Sequence, residues 1–285
     1  MPLKITEIQL PDTRDVLDDF RFFDRADWQS AIVQSFGLSR RVFEIRGAGK
    51  SDTPCLFPCL EDSELLYASY IGYGGPIADS ISETDLLDMI AGIERHVGKK
   101  FRRIKLYPFA HLVGASSGAF KAHATSVVEF TETHEFSKGV CYEIRKAEKA
   151  GTEVRMLFSE ADIQNFYNIY VETAKRVKSS YITPLSLFQK IVQLSGCFIM
   201  GGFCEERLVS GSVFLCAYRV AYYWWNASNE EGRVRSANYA VMRAAFDKLQ
   251  KDGFVALDMA SSHSGAIKRA KELWGARDRT YFELS

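Results

Sequence analysis

The chain has 285 residues, 36 basic and 36 acidic side chains, a formal net charge of +0 and 47% hydrophobic content. That length suits two ordinary domains or one large one, with a normal share of core-forming side chains. Balanced charge excludes a global field that would draw the protein to nucleic acid or an anionic surface, so any polyanion site must be a local cluster.

No run approaches the roughly 18 apolar residues a spanning helix needs, and Met1–Thr6 lacks the apolar core of a signal peptide. The cysteines Cys55, Cys59, Cys141, Cys197, Cys204 and Cys216 include three in or beside strand-like apolar runs, where a thiol is usually a small core residue. Cys55 and Cys59 have no second ligand pair at metal spacing. A reduced, soluble, cytoplasmic protein without a metal site is expected.

In chain order, the pattern predicts a helix over Asp24–Gln34 around Trp28, Ile32 and Val33, stopped near Gly37. Val42–Ile45 and Leu65–Tyr70 read as strands, while Pro54 and Pro58 argue against a central strand between them. Ser82 precedes a helix through Leu86, Met89, Ile90 and Ile93 that ends at Gly98, with Asp85 at its positive end. Arg103–Tyr107 reads as a strand, Pro108–Gly118 as a loop, and Thr125–Phe130, by its alternation, as another strand.

A basic helix then runs Ser137–Ala150 and stops at Gly151. Val154–Phe158 is a strand, and Ser159 caps a long helix, with Asp162 completing a loose capping box. Leu185–Leu194 gives another helix. Strands follow at Phe198–Cys204, Leu208–Tyr218 and Ala221–Asn226, the first two joined by a hairpin turn at Glu205-Glu206-Arg207. A helix over Arg235–Lys251, a strand Phe254–Asp258, a helix near Gly265–Leu273 and a strand Thr280–Leu284 complete the pattern. Both halves run helix, strands, helix, strand, without a repeat at the level of letters. The polar stretch Thr131–Glu135 marks the boundary, giving domains 1–135 and 136–285, with the last strand able to fold back onto the first half.

Three segments stand out. Tyr73-Gly74-Gly75-Pro76 is a turn, with glycines for unusual backbone angles and a proline to fix the exit. Ile144-Arg145-Lys146-Ala147-Glu148-Lys149 lies on the basic helix. Ala270-Lys271-Glu272-Leu273-Trp274-Gly275 sets a lysine just before a Trp-Gly stop. In this order the three resemble the Fem-type aminoacyltransferases, which use the acetyltransferase-like (GNAT) fold twice. The resemblance covers most of residues 25–285, and Ala270 stands where those enzymes usually carry an aromatic.

The resemblance implies an α/β protein of two tandem GNAT-like domains, with mixed sheets flanked by helices and the transfer site in the second. It also implies aminoacyl-tRNA as donor, a co-substrate rather than a cofactor. The acceptor would be an amine of a peptidoglycan precursor or a related small molecule. With few phosphate contacts available, tRNA binding is expected to be weak and salt-sensitive.

When an amine attacks an ester carbonyl, negative charge develops on the oxygen, and a fixed ammonium in a partly dry site stabilises it. Lys271 is the candidate, with Lys268 near the same helix face as its rival. Asp258, at the end of a buried-type strand, is a candidate to hold Lys271, orient the acceptor amine or accept a proton. His263 is a lone histidine in the adjoining loop.

Ordinary acetyltransferases grip the CoA pyrophosphate with a glycine-rich loop at a helix N-terminus. The corresponding Arg233-Val234-Arg235-Ser236-Ala237-Asn238 has Ser236 and Asn238 in place of the glycines and keeps its arginines. That favours a phosphate-bearing donor other than CoA. Trp225, in the aromatic strand Tyr222–Trp225, is a candidate to stack on a terminal base. The resemblance implies that Tyr73, Gly74 and Gly75 help line the acceptor cleft, and Arg145 and Lys146 are acceptor-side candidates through phosphates of a nucleotide-linked acceptor, or else contacts to tRNA. A second basic group, Lys175, Arg176 and Lys178, ends the long helix. The rival readings are an acyl-CoA-dependent N-acyltransferase acting on an amino sugar or small amine, and a catalytically silent binding domain.

Overall fold

The structure is a computed structural model describing residues 3–9, 21–47, 54–78, 80–114, 118–130, 136–262 and 264–284. The boundary stretch Thr131–Glu135 and His263 lie outside the described residues. The chain divides into two units, Met1–Ala124 with Arg279–Ser285, and Thr125–Asp278.

The first unit contains β1 (Lys4–Glu7), α1 (Ala26–Phe36), β2 (Ser39–Arg46), β3 (Cys55–Glu61), β4 (Leu65–Tyr67), β5 (Ser80–Ser82), α2 (Glu83–Val97), β6 (Lys100–Lys105) and β7 (His111–Val113). Its sheet runs β1-β2-β3-β4-β6 and is closed by the last strand of the chain, where Glu283 and Leu284 pair with Lys105 and Ile104. Both helices end as their glycines dictate: Gly37 and Gly98 adopt φ of 67° and 76°, in the left-handed region that costs a residue without Cβ little. At the other end of α2, Ser82 Oγ accepts the Asp85 N–H (3.0 Å), satisfying one of the free amides of the first turn.

Two sequence expectations fail here. Cys55–Glu61 is a strand between β2 and β4 despite Pro58. Asp62 donates its N–H to Leu65 O (3.2 Å) and Leu56 O accepts from Ile77 (2.7 Å), so even-numbered residues direct their polar groups to the β4 side. Pro58 lies on that side, beyond the short β4 ladder, which pairs only Leu60 and Glu61; its missing N–H therefore breaks no ladder bond. The expected loop Pro108–Gly118 contains β7, which pairs in parallel with β5 as a separate ribbon too short to show an alternation signal.

The second unit contains β8 (Lys121–Glu129, which enters from the first), α3 (Lys138–Lys149), β9 (Glu153–Met156), α4 (Glu160–Arg176), α5 (Leu185–Ile191), β10 (Phe198–Cys204), β11 (Arg207–Cys216), β12 (Val220–Ser228), α6 (Glu230–Val234), α7 (Ala237–Lys251), β13 (Ala256–Asp258) and α8 (Gly265–Leu273). The chain ends in β14 (Arg277–Leu284). The sheet order is β8-β13-β12-β11-β10-β9, antiparallel throughout except for β12 and β13. That parallel pair needs a crossover, which α7 supplies. The β10–β11 hairpin turns at Glu205 and Glu206, both at positive φ (50° and 63°), the backbone that matches strand twist. The sequence reading missed α6 and ran its next helix back to Arg235. Ser236 instead sits left-handed at φ 58° and separates α6 from α7.

Val128, Ile144, Phe214, Val241, Phe246, Leu257 and Trp274 form the core of this unit. In the first unit, Gly74 is demanded by space, since a Cβ there would lie 2.3 Å from the Ala68 carbonyl oxygen. Gly74→Ala should therefore cost about 1–3 kcal/mol, read as a lower urea midpoint with an unchanged slope.

Candidate active site

The parallel pair β12–β13 is joined only at Val220–Tyr222 against Ala256–Asp258. Beyond Tyr222, β12 continues to Ser228, while the chain after Asp258 follows β8 instead: Met259 N–H reaches Ser126 O (2.8 Å) and Ser126 N–H reaches Ala260 O (3.2 Å). The two strands thus diverge into a wedge. Beyond Tyr222 the ladder between β12 and β13 stops. A bulge at Trp224, where pairing steps from Val213↔Trp225 to Phe214↔Tyr223, breaks the alternation of the aromatic strand at this point.

Lys271 lies at the β13 side of the wedge. Its side chain is buried and its Nζ donates to Ala260 O and Ser261 O, each at 2.9 Å. An ammonium has three donors, so one remains after these two bonds. Burial lowers its pKa from the usual value to about 8, with the negative charge of Asp258 acting in the opposite direction. Asp258 is fully buried. Its Oδ1 accepts the Ala260 N–H (2.7 Å) and the Thr125 hydroxyl (2.5 Å). These bonds hold Ala260 at φ 62°, an uncommon conformation for a residue with a Cβ, and thereby aim its carbonyl at the lysine. Asp258 is on this geometry a positioning residue. The rival Lys268 is half exposed and paired with Asp278 at 2.5 Å.

The helix carrying Lys271 is fixed at both ends. Ser264 Oγ accepts the Ile267 N–H (3.3 Å), and Trp274 packs on Tyr239, Phe246 and Phe136 with ring centroids 5.2–5.7 Å apart.

The proposed donor residues cluster at α6 and the start of α7. Arg235 is engaged with Glu231 (3.2 Å), Glu205 (3.8 Å) and the Ala150 carbonyl (3.0 Å). Ser236 is buried and gives its hydroxyl to the Glu143 carboxylate. A carboxylate therefore already occupies the neighbourhood of the α7 N-terminus, where an ordinary acetyltransferase would receive pyrophosphate. Arg233 is exposed, with one nitrogen on Ser228 O (2.8 Å), and Asn238 is half-buried in the first turn of α7. Trp225 packs edge-on against Phe188 of α5 (5.3 Å), a structural contact for part of its ring.

Of the acceptor candidates, Arg145 is exposed on α3 and Lys146 lies 4.0 Å from Glu143. Tyr73 belongs to the first unit and is fully buried there against Phe23, Tyr107 and Tyr281 (5.6–5.8 Å), with Lys105 Nζ 4.4 Å from its ring centre. Gly74 and Gly75 line a small pocket in that unit with Arg21, Leu106 and Tyr107. Sequence reasoning missed Thr125, Glu143 and the carbonyls of Ala260 and Ser261. Only Glu143, next to the Ile144–Lys149 motif, carried a signal that pattern reading could have used.

Residues 135–266 match the family model described as an acetyltransferase (GNAT) domain. The crystal structure of FemX aligns over 97% of this chain and 96% of its own, with TM-score 0.65 and 10% identity. A tandem GNAT protein from the clavulanic acid biosynthesis pathway aligns over 99% and 98%, with TM-score 0.56 and 9% identity. The chain therefore has the tandem GNAT fold. L-PGS from Bacillus licheniformis shares it over 95% of this chain and 93% of its own, at TM-score 0.54 and 12% identity. A comparison with curated protein sequences returns no match. Lys271 is held by the carbonyls of Ala260 and Ser261, just beyond β13.

Asp258→Asn removes the charge that opposes the effect of burial on Lys271. The lysine, which titrates near 8 in the native chain, should then titrate lower, as read from NMR of reductively methylated lysines. An unchanged titration would show that Asp258 does not act on the ammonium.

Proposed function

We propose that this chain is an amide-forming aminoacyltransferase, moving an aminoacyl group from aminoacyl-tRNA to an amine of a cell-wall precursor or a related small molecule. The observation that carries the reading is the buried Lys271 ammonium beside the β12–β13 wedge, held by two carbonyls with one donor in reserve. The acceptor amine attacks the ester carbonyl and a C–N bond forms. The carbonyl oxygen becomes anionic and takes the remaining Lys271 N–H. The ester C–O bond then breaks, and the departing ribose oxygen leaves with the proton released by the amine. Removing such an oxyanion donor typically costs about 100- to 1,000-fold in rate. The engagement of Arg235 and Ser236 with Glu231, Glu205 and Glu143 supports a donor other than CoA. Charged tRNA as donor would place the reaction in the cytoplasm.

The test is mass spectrometry of acceptor mixtures incubated with aminoacyl-tRNA or acyl-CoA pools. Product from aminoacyl-tRNA is expected; a stoichiometric CoA complex with product from acyl-CoA alone would replace this reading with the N-acyltransferase. Lys271→Met should lower kcat/KM about 100- to 1,000-fold, and unchanged turnover would remove Lys271 from the mechanism.

The pH dependence has a definite sign. The ammonium is the working form, so the rate should fall as pH rises through about 8. A rate that instead rises through that pH in the native chain, with the rise lost in Lys271→Met, would identify Lys271 as a base.

A further inference from the structure

We propose that the connection between α4 and α5, together with the end of α6, is a docking surface for an anionic membrane surface. Between buried Ala174 and buried Thr183, all eight residues from Lys175 to Ile182 are exposed. They combine the cations Lys175, Arg176 and Lys178 with Val177, Tyr181 and Ile182, whose exposures are 58%, 47% and 39%. Exposed aliphatic side chains in such a cluster are unusual on a water-facing surface and mark an interaction site.

The segment is held rather than frayed. Lys178 turns the chain at φ 54°, and Ser179 N–H returns to Ala174 O (2.9 Å). Ser179 Oγ donates to Tyr181 O (2.7 Å), and Tyr170 Oη takes the Thr183 N–H (3.0 Å). The apolar tip is thus presented by fixed ends. The end of α4 also meets α6: Thr173 Oγ1 (3.3 Å) and Arg233 Nη1 (2.8 Å) donate to the same carbonyl, that of Ser228. Arg176 and Val177 follow Thr173 by three and four residues, and Val234, next to Arg233, is 65% exposed.

Charge complementarity selects the partner. No acidic residue occurs between Glu172 and Glu205. None of Lys175, Arg176 and Lys178 forms an ion pair among the described residues. The nearby acids are Glu172, Glu230 and Glu231, of which Glu231 is paired with Arg207 and Arg235. Cations beside aliphatic side chains suit the lipid interface, where the first meet anionic headgroups and the second meet acyl chains. Of the exposed apolar side chains here only Tyr181 offers a face for base stacking, whereas the aliphatic Val177, Ile182 and Val234 are better matched by acyl chains. No helix among the described residues is long and apolar enough to cross a membrane, so the contact is peripheral.

This inference does not rest on the transfer chemistry, and its test has no turnover readout. The protein is sedimented with vesicles of equimolar phosphatidylglycerol and phosphatidylcholine, and with phosphatidylcholine alone. Binding to the anionic vesicles that weakens with added salt is expected, with none to the neutral ones. Lys175→Gln/Arg176→Gln/Lys178→Gln should lower the vesicle partition coefficient about 100-fold. Val177→Ser/Ile182→Ser should lower it with every charge kept. All five positions are exposed, and circular dichroism melts verify that the variants fold. Absence of vesicle binding, or either variant binding like the native chain, overturns the proposal. So does a charge variant that loses affinity for unfractionated tRNA while keeping its vesicles, which would assign the surface to RNA.

Discussion

A lysine ammonium taken out of water must be compensated, and the second unit is organised around that requirement at Lys271. The compensation comes from the backbone: two carbonyls, of Ala260 and Ser261, are turned toward Nζ. They face it because Ala260 is left-handed, and Ala260 is held by Asp258, itself held by Thr125. Removing one partner from such a buried chain leaves another polar group unsatisfied, so the set is kept or lost together. The aromatic packing of Trp274 fixes the helix from which the lysine projects. The result is an ammonium that holds its proton less tightly than a lysine in water; under the proposed transfer it would meet a negative charge that exists only during reaction.

Under the proposed transfer that charge would arise at the wedge between β12 and β13. The parallel pair is joined over three residues and then separates. At the start of α7, the polar groups are already engaged within the unit. The glycine cradle of an ordinary acetyltransferase needs free amides at a positive helix end. Here the Ser236 hydroxyl and the Glu143 carboxylate meet at that end, and Arg235 is bound to acids of the same unit. A pyrophosphate would have to displace those carboxylates before it could bind.

Much of the fold was legible because its punctuation is local. Gly37 and Gly98 end helices, Ser82 and Ser159 begin them, and Glu205-Glu206 turns a hairpin, each through bonds spanning a few residues. What escaped was decided at a distance. Pro58 is tolerated because β4 stops short of it, and β7 exists only because β5 lies alongside. In the candidate site, Lys271 and Asp258 could be singled out from a motif and a strand end. Their link through Ala260 could not, because an alanine's carbonyl direction leaves no trace in its letter. Lys268 and Lys271 were equivalent by helix spacing; Asp278, beyond the helix, separates them by pairing with the first.

The strand that closes the first unit's sheet is β14, so that unit is assembled from two separated stretches of chain, whereas the second is continuous. On a ribosome, Thr125–Asp278 is synthesised before Glu283 and Leu284 are added to pair with Lys105 and Ile104. Until then the edge of β6 stays open, and Tyr73 and Lys105 wait for the Tyr281 ring that completes their stack. The amino-terminal unit, made first, is thus the last to be finished, and its nascent form must be shielded from stray strand pairing for as long as the other unit takes to be translated.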